Sequence, residues 1–82
     1  MKLKYDEQAG ALYIRISEAN FDHTKTLDDN RRLDFGKDGT LIGIEILYPS
    51  LGVNVVGLPP SEAAVGRPLE KHGFKGLATN RK

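Results

Sequence analysis

Residues 40–48, Thr-Leu-Ile-Gly-Ile-Glu-Ile-Leu-Tyr, constrain this chain more than any other stretch. In an extended chain successive side chains point to opposite faces. Ile42, Ile44 and Ile46 therefore fall on one face, and Leu41, Gly43, Glu45 and Leu47 on the other. A strand that is apolar on both faces belongs in the middle of a sheet. Gly43 leaves a gap on the second face, the mark of a place where a neighbouring group packs closely over the backbone. The strand starts behind Gly36-Lys37-Asp38-Gly39, whose Asp-Gly pair is a strong hairpin signal, and stops at Pro49.

The flanking segments supply partners for it. Residues 31–35 alternate, with Leu33 and Phe35 inward and Arg32 and Asp34 outward. Residues 2–5 alternate as well, and the turn-forming run Asp6-Glu7-Gln8-Ala9-Gly10 joins them to a strand over 11–16. There Leu12, Ile14 and Ile16 share one face, while Ala11, Tyr13 and Arg15 share the other. The two read as a hairpin. Residues 17–25 are polar and loop-like, and 26–29 read either as the start of a third strand or as irregular chain. The short apolar stretch Val53-Asn54-Val55-Val56 is placed at a sheet edge.

Further on, Pro59-Pro60-Ser61-Glu62 reads as a helix start with proline in the first turn. Ala63, Ala64, Val65 and Leu69 keep helical spacing, and Gly66 and Pro68 interrupt it. One kinked helix and two short turns both fit, ending at His72-Gly73, where glycine suits a C-terminal cap. The expected fold is α+β: a four-stranded antiparallel β-meander with a C-terminal short or kinked helix packed on one face. Residues 1–74 form a single domain in this reading, and 75–82 a basic, flexible tail.

A chain of 82 residues buries a thin core, roughly 60–65% of the surface its unfolded form exposes. Protecting the second sheet face by homodimerisation is the expected remedy. The chain has no cysteine, which removes disulfides and thiolate metal sites and fits a reducing cytoplasm. No apolar run approaches the ~20 residues of a membrane span, and the first residues show no apolar leader segment. A cytoplasmic protein with no membrane partner is expected. Net charge is +1, which provides no bulk attraction to nucleic acid. The charge is uneven, however: residues 66–82 hold five basic side chains (Arg67, Lys71, Lys75, Arg81, Lys82) against the single acid Glu70.

Few residues offer chemistry. Asp22-His23 has the composition of an acid/base pair, but strand alternation turns neighbours to opposite faces and no nucleophile accompanies them. His72 lies where a helix end would use it to meet the last carbonyls. Asp28, Asp29, Asp34 and Glu45 could form an oxygen cluster for a hard cation. Turn formation by Asp28-Asp29 and cross-strand charge pairing by Asp34 and Glu45 account for them better. No glycine-rich phosphate loop is present. No catalytic residue, metal site or cofactor is assigned. Tyr13 and Arg15 lie together on the outer face of the second strand, with Lys2 and Lys4 expected beside them. Such a face can hold a protein or single-stranded nucleic acid. The partner-binding residues expected are therefore Tyr13, Arg15, Lys71 and Lys75.

The run from Tyr5 to Ser17, Tyr-Asp-Glu-Gln-Ala-Gly-Ala-Leu-Tyr-Ile-Arg-Ile-Ser, resembles the opening of a small prokaryotic family, domain of unknown function 2283. Residues 33–47, Leu-Asp-Phe-Gly-Lys-Asp-Gly-Thr-Leu-Ile-Gly-Ile-Glu-Ile-Leu, resemble its second block, and 52–59 an extension seen in some members. The resemblance covers residues 3–59. It departs at Gly10, where the family usually carries aspartate; glycine keeps the turn and removes a polar side chain. The resemblance implies a compact antiparallel sheet with a helix and no established reaction. Some relatives are encoded beside small ribonuclease-like toxins, which implies an antitoxin-like role with a small toxin-like protein as partner. A non-catalytic protein-binding module is thus the favoured function. A nucleic-acid-binding or regulatory protein using the basic tail is the alternative, and a small hydrolase using the carboxylates or His23 ranks last.

Overall fold

The computed structural model describes residues 1–49 and 52–77. In chain order the elements are β1 (Lys2–Asp6), β2 (Ala11–Arg15), β3 (His23–Thr26), β4 (Arg31–Phe35), β5 (Leu41–Leu47), β6 (Val53–Asn54), α1 (Glu62–Lys71) and β7 (Gly76–Leu77). The protein is α+β, with a five-stranded antiparallel sheet and one C-terminal helix. The chain divides into two compact units, Met1–Tyr48 and Pro49–Lys82. No helix among the described residues is long and apolar enough to cross a membrane.

In the first unit the strand order is β1-β2-β5-β4-β3, so β5 is central, as its two apolar faces require. The expectation of four strands in a meander is corrected on both points. The fifth strand is β3, in which all four residues are exposed, so it has no apolar alternation to announce it. Its threonines favour extended backbone, and pairing with β4 supplies the rest. The order departs from a meander because β5 turns back to pair with β2 as well as β4, a Greek-key arrangement. A meander would have left β5, the most apolar strand, at an edge. Backbone bonds from Ile16 and Ser17 to the Ile42 carbonyl (2.7 and 3.1 Å), and from the Ser17 hydroxyl to the Leu41 carbonyl (3.0 Å), fasten the end of β2 to β5.

Register sets the two faces. Ile44 lies between Ile14 and Leu33, and Ile46 between Leu12 and Arg31. Leu12, Ile14, Leu33, Ile42, Ile44 and Ile46 are all buried. Phe35, expected inward, is half-buried; the register shifts between Asp34 and Phe35, and the ring stacks on His23 at 5.5 Å. The β1–β2 turn uses Asp6, whose side chain accepts the Ala9 N–H at 3.1 Å, and Gly10 at φ 63°. Glycine takes this left-handed conformation without steric cost.

In the second unit β6 and β7 pair in parallel, with α1 between them in sequence. Ser61 caps the helix by accepting the Ala64 N–H at 3.1 Å. Pro59 and Pro60 therefore precede the cap, which corrects the expectation of proline in the first turn. The helix is single and carries Pro68 inside it. Its end is a Schellman motif, with the Gly73 N–H on the Glu70 carbonyl (3.0 Å), the Phe74 N–H on the Leu69 carbonyl (2.9 Å) and Gly73 at φ 88°. Val53, Val55, Leu58, Val65 and Leu69 are buried.

Candidate functional site

The polar face of the sheet carries a hydrogen-bonded row that spans four strands. Tyr13 on β2 reaches across β5 and donates its phenol hydrogen to Asp34 Oδ2 on β4, at 3.0 Å. Thr24 on β3 donates to Asp34 Oδ1 from the other side, at 2.7 Å. Strands β2 and β4 are two sheet spacings apart, roughly 9.6 Å, so the phenol closes that span only by lying low over the strand between. Gly43 makes this geometry possible: a Cβ at that position would fall inside the Tyr13 phenol. Next to the row, Arg32 and Glu45 pair across β4 and β5 at 3.1 Å.

Burial and the hydrogen bond to the Asp34 carboxylate push the Tyr13 phenol up to about 12. The folded protein therefore holds this proton more tightly than the unfolded chain does. The row contributes its full stability below pH 10, the ordinary tyrosine value, and loses it as pH rises towards 12. We expect absorbance titration to show a tyrosinate component near pH 12 that Tyr13→Phe removes. Its persistence in that variant would show that the phenol is not held by Asp34.

Beside the row, Lys2, Lys4, Tyr13, Arg15 and Glu18 line an open depression. Lys2 lies opposite Arg15 and Lys4 opposite Tyr13 across the β1–β2 ladder, so the lysines do share the Tyr13–Arg15 face. Arg15 Nε donates to the Ser17 carbonyl at 2.8 Å, and its Nη2 lies 3.7 Å from Glu18. The second unit holds the other two expected binding residues: Lys71 is the last residue of α1, and Lys75 precedes β7; both are exposed. Arg81 and Lys82 lie outside the described residues.

Other candidates resolve differently. Asp22 and His23 do meet, with Nδ1 and Oδ2 2.8 Å apart, because β3 begins at His23 and strand alternation does not govern Asp22. Both are exposed, and no hydroxyl among the described residues hydrogen-bonds the imidazole. His72 Nδ1 lies 2.9 Å from the Pro68 carbonyl, to which it donates at the helix end. Asp28 shapes its turn by accepting the Asn30 N–H at 3.0 Å and pairs with Arg31 at 2.8 Å. Burial raises its carboxyl, but these bonds outweigh that and hold it below the usual range. Glu45 makes the expected cross-strand charge pair; Asp34 does not, and takes its bonds from two hydroxyls instead. The row that unites Tyr13, Asp34 and Thr24 was missed by sequence reasoning, and Gly43 was the one signal pointing to it.

Neither the curated proteins nor the solved structures include a match to the chain. A family model described as "Protein of unknown function (DUF2283)" matches residues 2–50. That span nearly coincides with the five-stranded unit, Met1–Tyr48, and takes in the whole Tyr13–Gly43–Asp34–Thr24 row. With its polar row and basic depression carried on the matched strands, the chain belongs to the DUF2283 family.

Proposed function

We propose that this chain is a non-catalytic protein-binding module whose contact surface is the polar sheet face around Tyr13 and Arg15. The observation that carries the reading is the Tyr13–Asp34–Thr24 row, which fixes an aromatic ring in place through bonds made within the sheet. Ordering the surface before contact lowers the entropy cost of association. Tyrosine and arginine are also among the residues that dominate binding energy at interfaces. The same row argues against a reactive role, since it uses both Asp34 oxygens and keeps the phenol protonated. In this reading the protein works in the cytoplasm as a homodimer, and masking of a small toxin is one form the role takes.

The test is affinity capture of the tagged full chain from its native host. We expect one stoichiometric protein partner, lost when Tyr13→Ala and Arg15→Glu are combined in a chain that still gives a folded NMR spectrum. A partner retained by that double variant would sink the reading. The exposed Lys71 and Lys75 support a second reading, nucleic-acid binding. It requires a raised 260/280 nm absorbance ratio in the eluate and a steep loss of binding with salt.

A further inference from the structure

We propose that the β1 edge and the basic depression beside it take an acidic segment of the partner protein. That segment binds in extended form, with carboxylates at alternate positions facing Lys2 and Lys4. The inference rests on the protein-binding reading of the polar face and names the chemistry of what that face holds.

The first argument is an uncompensated charge. Lys2 stands directly opposite Arg15, with Lys4 two residues along on the same face. Like charges facing each other across an antiparallel pair destabilise it. Arg15 has partial relief from the Ser17 carbonyl and Glu18. Lys2 and Lys4 are exposed and pair with no acid among the described residues. Lysine on an edge strand discourages indiscriminate strand pairing. That purpose accounts for the two lysines but not for the arginine behind them or for the depression all three line.

The second argument is spacing. β1 is an edge strand, so among the described residues one side of its backbone has no strand partner. Residues two apart on a strand are separated by about 6.6 Å and share a face. An extended segment with acids at every second position repeats at the same interval and brings successive carboxylates to Lys2 and then Lys4. A segment in which no two acids stand two apart can bring a carboxylate to only one of the two lysines at a time. Asp6 is next on that face of β1 and ends the basic run after two positions. Asp34 and Glu45 lie further across the same face. This short basic run bounded by acids suits two carboxylates better than a continuous phosphate backbone.

The experiment uses the full chain and fluorescein-labelled peptides at low salt, read by anisotropy. The peptides are Glu-Thr-Glu-Thr-Glu-Thr, its isomer Glu-Glu-Thr-Thr-Glu-Thr, in which no two acids stand two apart, and Lys-Thr-Lys-Thr-Lys-Thr. We expect the alternating acidic peptide to bind roughly fivefold tighter than this isomer, the equivalent of one exposed ion pair. Lys2→Glu with Lys4→Glu should weaken it roughly tenfold and create affinity for the lysine peptide. Both lysines are exposed, so the double variant keeps the fold, which its NMR spectrum checks. Equal binding of the two acidic peptides, indifference to the double substitution, or equal competition by inorganic phosphate would each overturn the proposal. If no peptide binds while Tyr13→Ala with Arg15→Glu still releases the native partner, the binding-module reading stands and the acidic-segment inference falls.

Discussion

Replacing Ile44 by aspartate unfolds the five-stranded unit. Ile44 is fully buried at the centre of the central strand, with Ile14 on one side and Leu33 on the other, both buried themselves. A carboxylate there is placed among buried leucine and isoleucine side chains. Stranding a charge in such a place costs several kcal/mol after whatever relaxation the site allows, and losing the isoleucine contacts adds about 2 kcal/mol or more. A chain of 82 residues has roughly 4–12 kcal/mol of net stability to oppose this. We expect loss of the cooperative thermal transition and collapse of NMR dispersion. Glu45→Ala, one residue away on the polar face, is the control. It removes an exposed ion pair with Arg32 and should cost no more than about 1 kcal/mol. An Ile44→Asp protein that melts like wild type would show that the apolar face has been placed wrongly.

What the sequence made legible followed physical rules that act locally. The central strand was readable because Ile42, Ile44 and Ile46 alternate with a second apolar set, and no edge position tolerates that pattern. The end of α1 was readable because His72-Gly73 has the chemistry of a helix terminus, and both residues play that part. Pairing choices were harder. β3 holds His-Thr-Lys-Thr, all exposed, so only its ladder with β4 makes it a strand. The insertion of β5 between β2 and β4 joins segments some thirty residues apart in sequence, as Ile14 opposite Ile44 shows, which no local pattern encodes. The Tyr13–Asp34 bond has the same character, and Asp34 consequently looked like one half of a charge pair. Gly43 was the exception, because a bare position in a strong central strand is a local sign of a long-range contact.

That sign gives the second large effect, and its direction is what makes it decisive. Alanine in place of glycine within a strand ordinarily stabilises by about 0.5–1 kcal/mol, because glycine gives up more backbone freedom on folding. At Gly43 the expected sign is reversed. The added methyl coincides with the phenol oxygen and the adjacent ring carbons of Tyr13, on a strand held from both sides by β2 and β4. The strand cannot recede, so the ring must lift. Overpacking of this kind costs about 1–3 kcal/mol, and the displaced ring also gives up its bond to Asp34. Gly43→Ala should therefore destabilise by about 2–3 kcal/mol and bring the Tyr13 titration down from about 12 towards its ordinary value. The cycle with Tyr13→Ala assigns the cause. Removing the ring removes the clash, so the double variant should be more stable than the two single losses predict, by about 1–2 kcal/mol. Gly43→Ala should also weaken partner capture as Tyr13→Ala does, since both dismantle the same ordered row. A Gly43→Ala protein at least as stable as wild type, with the late tyrosine titration intact, would mean that the ring does not lie over β5, and the preorganised surface proposed for this face would lose its foundation.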